Sequence, residues 1–236
     1  LEAVHGAPLA RDHVYTAPAH SVVTVHDGLF QLIPLETVPE RRTPIDRALQ
    51  SIGAACAGRA AAVILSGAGS DGALGLKAVA DAGGVTFVQD PATAQHDSMP
   101  QSAIGTGAAD YILPPEAIGG ELIAYAAHVA DARRDDAVQQ REIADVLPSL
   151  CDLLLDATGH NFRHYKTSTL VRRVLRRTQV LRLPSATAYL ERVRSNKTEA
   201  AQLFNDLLIN VTAFFRDPDA FATLAREVLP RLFAER

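Results

Sequence analysis

Cysteine is scarce in this chain. Cys56 and Cys151 are the only two among 236 residues and stand far apart, which points to neither a disulfide framework nor a zinc site. No stretch approaches the roughly 20 apolar residues of a membrane-spanning helix, so insertion into a bilayer is not expected. The N-terminus lacks the charged, then apolar, then small-residue order of a secretory signal, and a cytoplasmic location is the expectation. Methionine occurs once, at Met99, and the sequence opens Leu1-Glu2-Ala3, so it reads as a piece of a longer polypeptide cut at its N-terminus. What is present argues for folded domains. An apolar content of 47% can fill cores and the 21% of charged residues is ordinary, which excludes disordered and collagen-like chains. The length suits two ordinary domains or one large one.

The net charge of −4 hides an asymmetry. Up to His128 there are 6 Lys/Arg against 13 Asp/Glu, and beyond it 17 against 14, so one half carries −7 and the other +3. Opposite signs suggest two modules with different partners. The first half reads as β-rich, then α/β. Residues 13–17 and 21–25 are β-branched runs, and Asp27-Gly28 turns the second into 29–33 as a hairpin. Pro44 opens a helix through about Ala57. A continuous apolar run at 61–66 predicts a strand buried on both faces. A glycine-rich loop at 67–72, a helix at 73–82, a strand at 85–88, a short helix after Pro100 and a strand at 111–113 complete a parallel-sheet pattern. The domain plan is an α/β unit at 1–128, a helical, solvated linker at 129–147, and a small all-α unit at 148–236. In the last, helices are predicted at 149–158, 167–182, 186–195, 199–210 and 218–234.

The loop Gly67-Ala68-Gly69-Ser70-Asp71-Gly72 fits the dinucleotide fingerprint, follows a strand and opens a helix, and Asp90 ends the next strand 18 positions after Gly72. On that reading the chain is a nicotinamide- or flavin-dependent oxidoreductase, with Asp90 on the ribose. Asp71 argues against it. A carboxylate about 4 Å from a phosphate costs on the order of 4 kcal/mol at intermediate dielectric, and the loop holds no Lys or Arg to offset it. Asp71 instead suits an acid held by main-chain N–H groups, able to fix the tautomer of a histidine as the third member of a Ser-His-Asp triad. The alternative is that Asp71 caps the helix beginning at Ala73.

Residues 61–115 resemble the C-terminal part of the chemotaxis receptor methylesterase, the CheB family. The carriers are Ser66 through Gly72, Gly75-Leu76-Lys77-Ala78, Ala82-Gly83-Gly84-Val85-Thr86, Gln89-Asp90-Pro91, Ser98-Met99-Pro100, Thr106-Gly107, Asp110 and Leu113-Pro114-Pro115. Val14-Tyr15-Thr16-Ala17-Pro18 and Pro44-Ile45-Asp46 fit upstream. The resemblance implies an α/β serine esterase that hydrolyses glutamate methyl esters on chemoreceptors without a cofactor, with Asp71 at the position of the triad acid. Ala68 stands where the family often has Met, in the loop bordering the oxyanion site. The family's nucleophilic Ser and its His fall before the segment beginning near Leu1. His5, His13, His20 and His26 read as surface or strand residues. With one triad member present, ester hydrolysis by this piece alone is not expected.

From Ala157 to Leu190 there are seven basic residues and no acid. Arg172/Arg176 and Arg173/Arg177 repeat at i, i+4 and form a cationic stripe, with Leu170, Val171, Val174, Leu175 and Leu181 on the buried side. A solvated face, a nucleic-acid surface and a dock for an acidic protein all fit that pattern. The absence of aromatics interleaved with the arginines, the modest +3 of this half and a pI near 6 for the whole speak against nucleic acid. Residues 148–235 resemble the N-terminal helical domain of the chemotaxis receptor methyltransferase, the CheR family. The resemblance rests on Thr158-Gly159-His160-Asn161-Phe162, Tyr165-Lys166, residues 170–177 and Asn210-Val211-Thr212-Ala213-Phe214-Phe215-Arg216-Asp217. It implies that Asn210, Thr212 and Arg216 contact S-adenosyl-L-methionine, Arg pairing with the methionyl carboxylate. It also implies that Arg173, Arg176 and Arg177 meet the acidic helical bundle of a methyl-accepting chemoreceptor. The family's main cofactor domain would start past Arg236, so cofactor affinity is expected to be weak or absent. The combined expectation is part of a fused methylesterase–methyltransferase of bacterial chemosensory signalling. The oxidoreductase and a catalytically silent receptor-docking scaffold are the alternatives.

Overall fold

The hairpin forms where the turn chemistry demands it. In the computed structural model, which describes residues 1–35, 43–56, 58–132 and 136–208 with Thr223 and Arg226, strands β1 (Ser21–His26) and β2 (Leu29–Pro34) pair antiparallel across Asp27 and Gly28. Both turn residues have positive φ, at 50° and 76°, as a two-residue hairpin requires. Residues 13–17 form no strand despite their β-branched composition. Thr16 makes an isolated bridge to Glu2, and the run has no neighbouring strand to complete a ladder.

Helix α1 (Pro44–Cys56) lies between this hairpin and the next unit, and Ile52 packs against residues of both. Strands β3 (Ala61–Ile64), β4 (Val85–Gln89) and β5 (Tyr111–Leu113) form a parallel sheet in that order. Helices α2 (Ala73–Asp81) and α3 (Ser98–Gly105) cover one face, where Leu76 and Ala103 meet Ile64 and Val88. On the other face Val85 and Phe87 pack with Ile118 and Tyr125 of α4 (Pro115–Ala132). The central strand β4 is therefore buried at every position, and its two polar side chains find partners there, Thr86 on Asp110 and Gln89 on Thr93.

The remainder is helical: α5 (Asp136–Thr158), α6 (Thr167–Val180), α7 (Ala186–Ser195) and α8 (Lys197–Leu207). Their core is built on Ile143, Leu147, Leu150, Leu154, Phe162, Val174, Tyr189 and Leu203. The helix predicted at 149–158 begins earlier than expected, because α5 runs through Pro148. A proline inside a helix costs about 3 kcal/mol. Burying Ile143, Leu147, Leu150 and Leu154 on one face returns about 1.5–3 kcal/mol each, so the helix continues. The linker is accordingly not solvated throughout: Ile143 and Leu147 belong to the helical core. The helix predicted at 218–234 lies almost wholly outside the described residues.

Helix α6 joins the two halves. Val180 enters the apolar cluster beneath the sheet, and the Tyr111 hydroxyl donates to its carbonyl.

Candidate functional site

Two helix N-termini meet at the carboxyl end of the sheet. Helices α1 and α2 run side by side in the same direction, and Gly72, which precedes α2, packs against Ile64 at the end of β3 and Ile45 at the start of α1. Gly72 has φ 93°, a left-handed conformation that glycine adopts without strain. That turn carries the Asp71 side chain away from its own helix. Asp71 Oδ2 accepts the Ile45 N–H at 3.0 Å and Oδ1 accepts the Asp46 N–H at 2.9 Å. The expectation that Asp71 caps the helix beginning at Ala73 is thereby corrected: α2 has no side-chain cap at Gly72, and Asp71 caps α1. Pro44 has no N–H to offer, so Ile45 and Asp46 present the first donors of that helix.

The favour is returned across the interface. Asp46, 5% exposed, accepts the Gly75 N–H of α2 on Oδ1 at 2.7 Å. A Cβ at position 75 would stand 2.7 Å from Leu49 Cβ and 2.9 Å from the Asp46 backbone, so this approach requires glycine. Asp71 is half-buried, and each of its oxygens keeps a second acceptor direction. Among the described residues it bonds to these two N–H groups and to no imidazole. His5, His13, His20 and His26 are exposed.

The glycine loop itself is stitched to the segment before α3. The Gly67 N–H donates to the His96 carbonyl at 2.9 Å and the Gly69 N–H to Ser98 Oγ at 2.9 Å. Ser66 donates its N–H to Gln89 Oε1 and accepts the His96 N–H on Oγ. Ala68, exposed between the two anchored glycines, keeps its N–H free of protein partners among the described residues. Asp90 is spent locally, accepting the Ala92 N–H at 2.9 Å where it caps a 3-10 turn.

The arginines of α6 lie elsewhere than a solvated stripe. Arg172 is exposed, but Arg176 and Arg177 are buried, and Arg173 pairs with Asp81 at 3.4 Å. Arg176 donates from Nε to the Gly84 carbonyl at 2.9 Å, and its Nη2 reaches Asp110 Oδ2 at 2.6 Å. Arg177 grips Glu199 through Nε and Nη2 at 3.0 and 2.6 Å, and the Tyr189 hydroxyl donates to the same carboxylate at 2.9 Å. Spacing along α6 places these arginines together; it carries no information about Asp81 and Asp110, which come from the other half. Burial pulls the Arg177 guanidinium down, but the hydrogen bond and charge of Glu199 more than reverse this and leave it above its ordinary value. Burial also drives the Tyr189 hydroxyl well up. Cys151, buried in the helical core, has its thiol pushed up by burial and then by Asp152, which leaves it unreactive.

Asp206 sits beside this cluster, 3.3 Å from Arg176. Burial raises its carboxyl above the ordinary 3.8 and outweighs the downward pull of Arg176 and Arg177. The folded chain therefore holds that proton more tightly than the unfolded chain, and the stability tied to it is lost as pH rises through the raised value. Asp206→Asn is expected to gain stability relative to wild type between about pH 4 and about pH 7. Paired urea titrations at the two pH values read the difference, and a variant that loses ground with rising pH contradicts the expectation.

Asn210, Thr212 and Arg216, with Phe214 and Phe215, lie outside the described residues. Sequence reasoning gives no role to Asp46, Asp110 or Glu199, although Asp46 and Asp110 are among the residues that carry the resemblance. Asp46 has a weak signal as an acid in the first turn after Pro44, and nothing points Asp110 and Glu199 to the arginines of α6, which are remote in sequence.

The family model for the CheB methylesterase matches residues 1–122, and that for the all-alpha domain of the CheR methyltransferase matches residues 146–208. An uncharacterized 104.1 kDa protein of Rhodobacter capsulatus is 39% identical over 251 aligned positions, covering 96% of this chain and 26% of that protein. The protein-glutamate methylesterase FrzG of Myxococcus xanthus is 37% identical over 126 positions, covering 53% of this chain and 38% of its own length. The CheB methylesterase catalytic domain of Thermotoga maritima, known from its crystal structure, is 32% identical with a TM-score of 0.47, over 52% of this chain and 67% of that one. The chain thus spans only about a quarter to two fifths of the length of these two curated relatives.

Proposed function

Because the chain belongs to the CheB methylesterase family and continues into a CheR all-alpha domain, we propose that it serves reversible methylation of chemoreceptor glutamates, the α/β unit on the removing side and the helical unit on the adding side. The observation that carries this reading is the Asp71 carboxylate, clamped by the Ile45 and Asp46 N–H groups at the carboxyl end of a parallel sheet with acceptor capacity to spare. That is what an orienting acid needs: fixed geometry and a free lone pair for an imidazole N–H. Ala68 supplies a main-chain N–H beside it, suited to a developing oxyanion.

The dinucleotide reading is disfavoured by the same loop. The Gly67 and Gly69 N–H groups that would hold a pyrophosphate are already bonded, and Asp90 is committed to its turn. For the helical unit, Asn210, Thr212 and Arg216 are by residue type suited to S-adenosyl-L-methionine, two able to offer neutral hydrogen bonds and one a guanidinium for its carboxylate. No helix among the described residues is long and apolar enough to cross a membrane.

The test is made on the longest polypeptide that carries this chain, with methanol release from a methylated chemoreceptor as the readout. Asp71→Asn is expected to lower kcat at least about a hundredfold with the fold intact. Undiminished turnover by that variant refutes the assignment.

A further inference from the structure

The motif Pro44-Ile45-Asp46 was matched in the sequence without a role, and its acid is a buried group that the proposed chemistry leaves unused. The geometry around it is reciprocal. Asp71, from the loop before α2, caps α1 through Ile45 and Asp46, whereas Asp46, from the first turn of α1, caps α2 through Gly75. Each carboxylate therefore lies at the N-terminus of the other's helix, where the partial positive charge of the unsatisfied N–H groups favours it. The two caps share one interface: drawing α1 an ångström away from α2 would stretch both the 2.7 Å bond to Gly75 and the bonds of 2.9 and 3.0 Å to Asp71 past hydrogen-bonding distance. The glycine at 75 lets the Asp46 backbone come this close.

We propose that Asp46 is the positioning residue for Asp71: its bond to the Gly75 N–H sets the start of α1 against the start of α2 and so fixes the direction in which the Asp71 carboxylate offers its free lone pairs. The catalytic consequence rests on the triad reading of Asp71, whereas the hydrogen-bond frame does not. A misplacement on the order of 1 Å in such a constellation costs on the order of a hundredfold in rate.

The experiment separates the two. In ¹H–¹⁵N spectra of the 236-residue chain, amide exchange at Ile45 is expected to rise tenfold or more in Asp71→Ala. Asp46→Asn keeps an oxygen for Gly75 and is expected to preserve the wild-type protection of Ile45 and Gly75. Asp46→Ala is expected to lose both, with exchange at each amide raised tenfold or more. Asp46→Ser, too short to span to Gly75 yet still polar, gives the same reading should the alanine variant fail to fold. Wild-type protection of Ile45 and Gly75 in the alanine or serine variant overturns the inference, whatever the esterase assay gives. In the esterase-competent polypeptide, Asp46→Ala is expected to lower kcat on the order of a hundredfold at unchanged KM, and Asp46→Asn to restore it. Normal turnover by Asp71→Asn, with the amide results as expected, would sink the triad reading and leave the frame standing.

Discussion

Glu199→Ala is expected to destabilise the helical unit by about 3–5 kcal/mol, the cost of stripping one partner from a buried ion pair. Glu199 is 3% exposed and accepts three hydrogen bonds, two from Arg177 and one from the Tyr189 hydroxyl. Without it, Arg177 keeps Gln202 at 2.9 Å, with Asp110 and Asp206 at 3.6 and 3.9 Å, and the Tyr189 hydroxyl loses its acceptor. A loss of that size is a large part of the roughly 5–15 kcal/mol that holds a domain folded. Glu199→Gln, which keeps an acceptor and gives up the charge, should fall between the alanine variant and wild type. Urea unfolding followed by far-ultraviolet circular dichroism measures all three. An alanine variant within about 1 kcal/mol of wild type would mean that the pair contributes no more than an exposed salt bridge does.

Arg176→Ala is expected to loosen the junction of the two halves. Its guanidinium spans three elements: the Gly84 carbonyl before β4, Asp110 before β5, and Asp206 on α8. Removing it leaves Asp110, 3% exposed, with the Thr86 N–H and hydroxyl and the more distant Arg177, and costs about 3–5 kcal/mol by the same argument. The distinguishing sign is location. Amide exchange should accelerate at Thr86 and Asp110 more than in the cores, and one thermal transition should separate into two as the halves uncouple. A double-mutant cycle with Asp110→Asn isolates the pair from the rest of the contact. A single transition with unaltered exchange at those amides would show that the apolar contact around Val180, with the Arg182–Glu121 pair, holds the halves together unaided.

The local chemistry of this fold was legible. Asp27-Gly28 dictated its turn, and Gly83, at φ 96°, ended α2 as its backbone freedom allows. The apolar run from Ala61 announced a strand, but not one buried on both faces: β3 is at the sheet edge and leaves Ala61 and Val63 exposed. The loop from Gly67 to Gly72 was placed between strand and helix. The partners of Asp71 were not legible, because Ile45 and Asp46 lie 26 and 25 positions upstream and no periodicity links them. Near Asn196 the pattern Asn-x-x-Glu has the form of a capping box, and Asn196 does accept the Glu199 N–H. The glutamate side chain, however, turns to Arg177 and Tyr189, because a buried guanidinium outbids an exposed helix end.

Spacing, turn residues and apolar runs thus determined most of the helices and strands, the run at 13–17 excepted, and that one loop carries a lone acid. Those are contests among near neighbours, decided over a few residues by sterics and hydrogen bonding. Packing alone decided that the arginines of α6 face Asp81, Asp110 and Glu199, that α5 runs through Pro148, and that Asp71 and Asp46 each cap the other's helix. In each case the deciding energy belongs to groups far apart along the chain, and burial brings them within bonding distance.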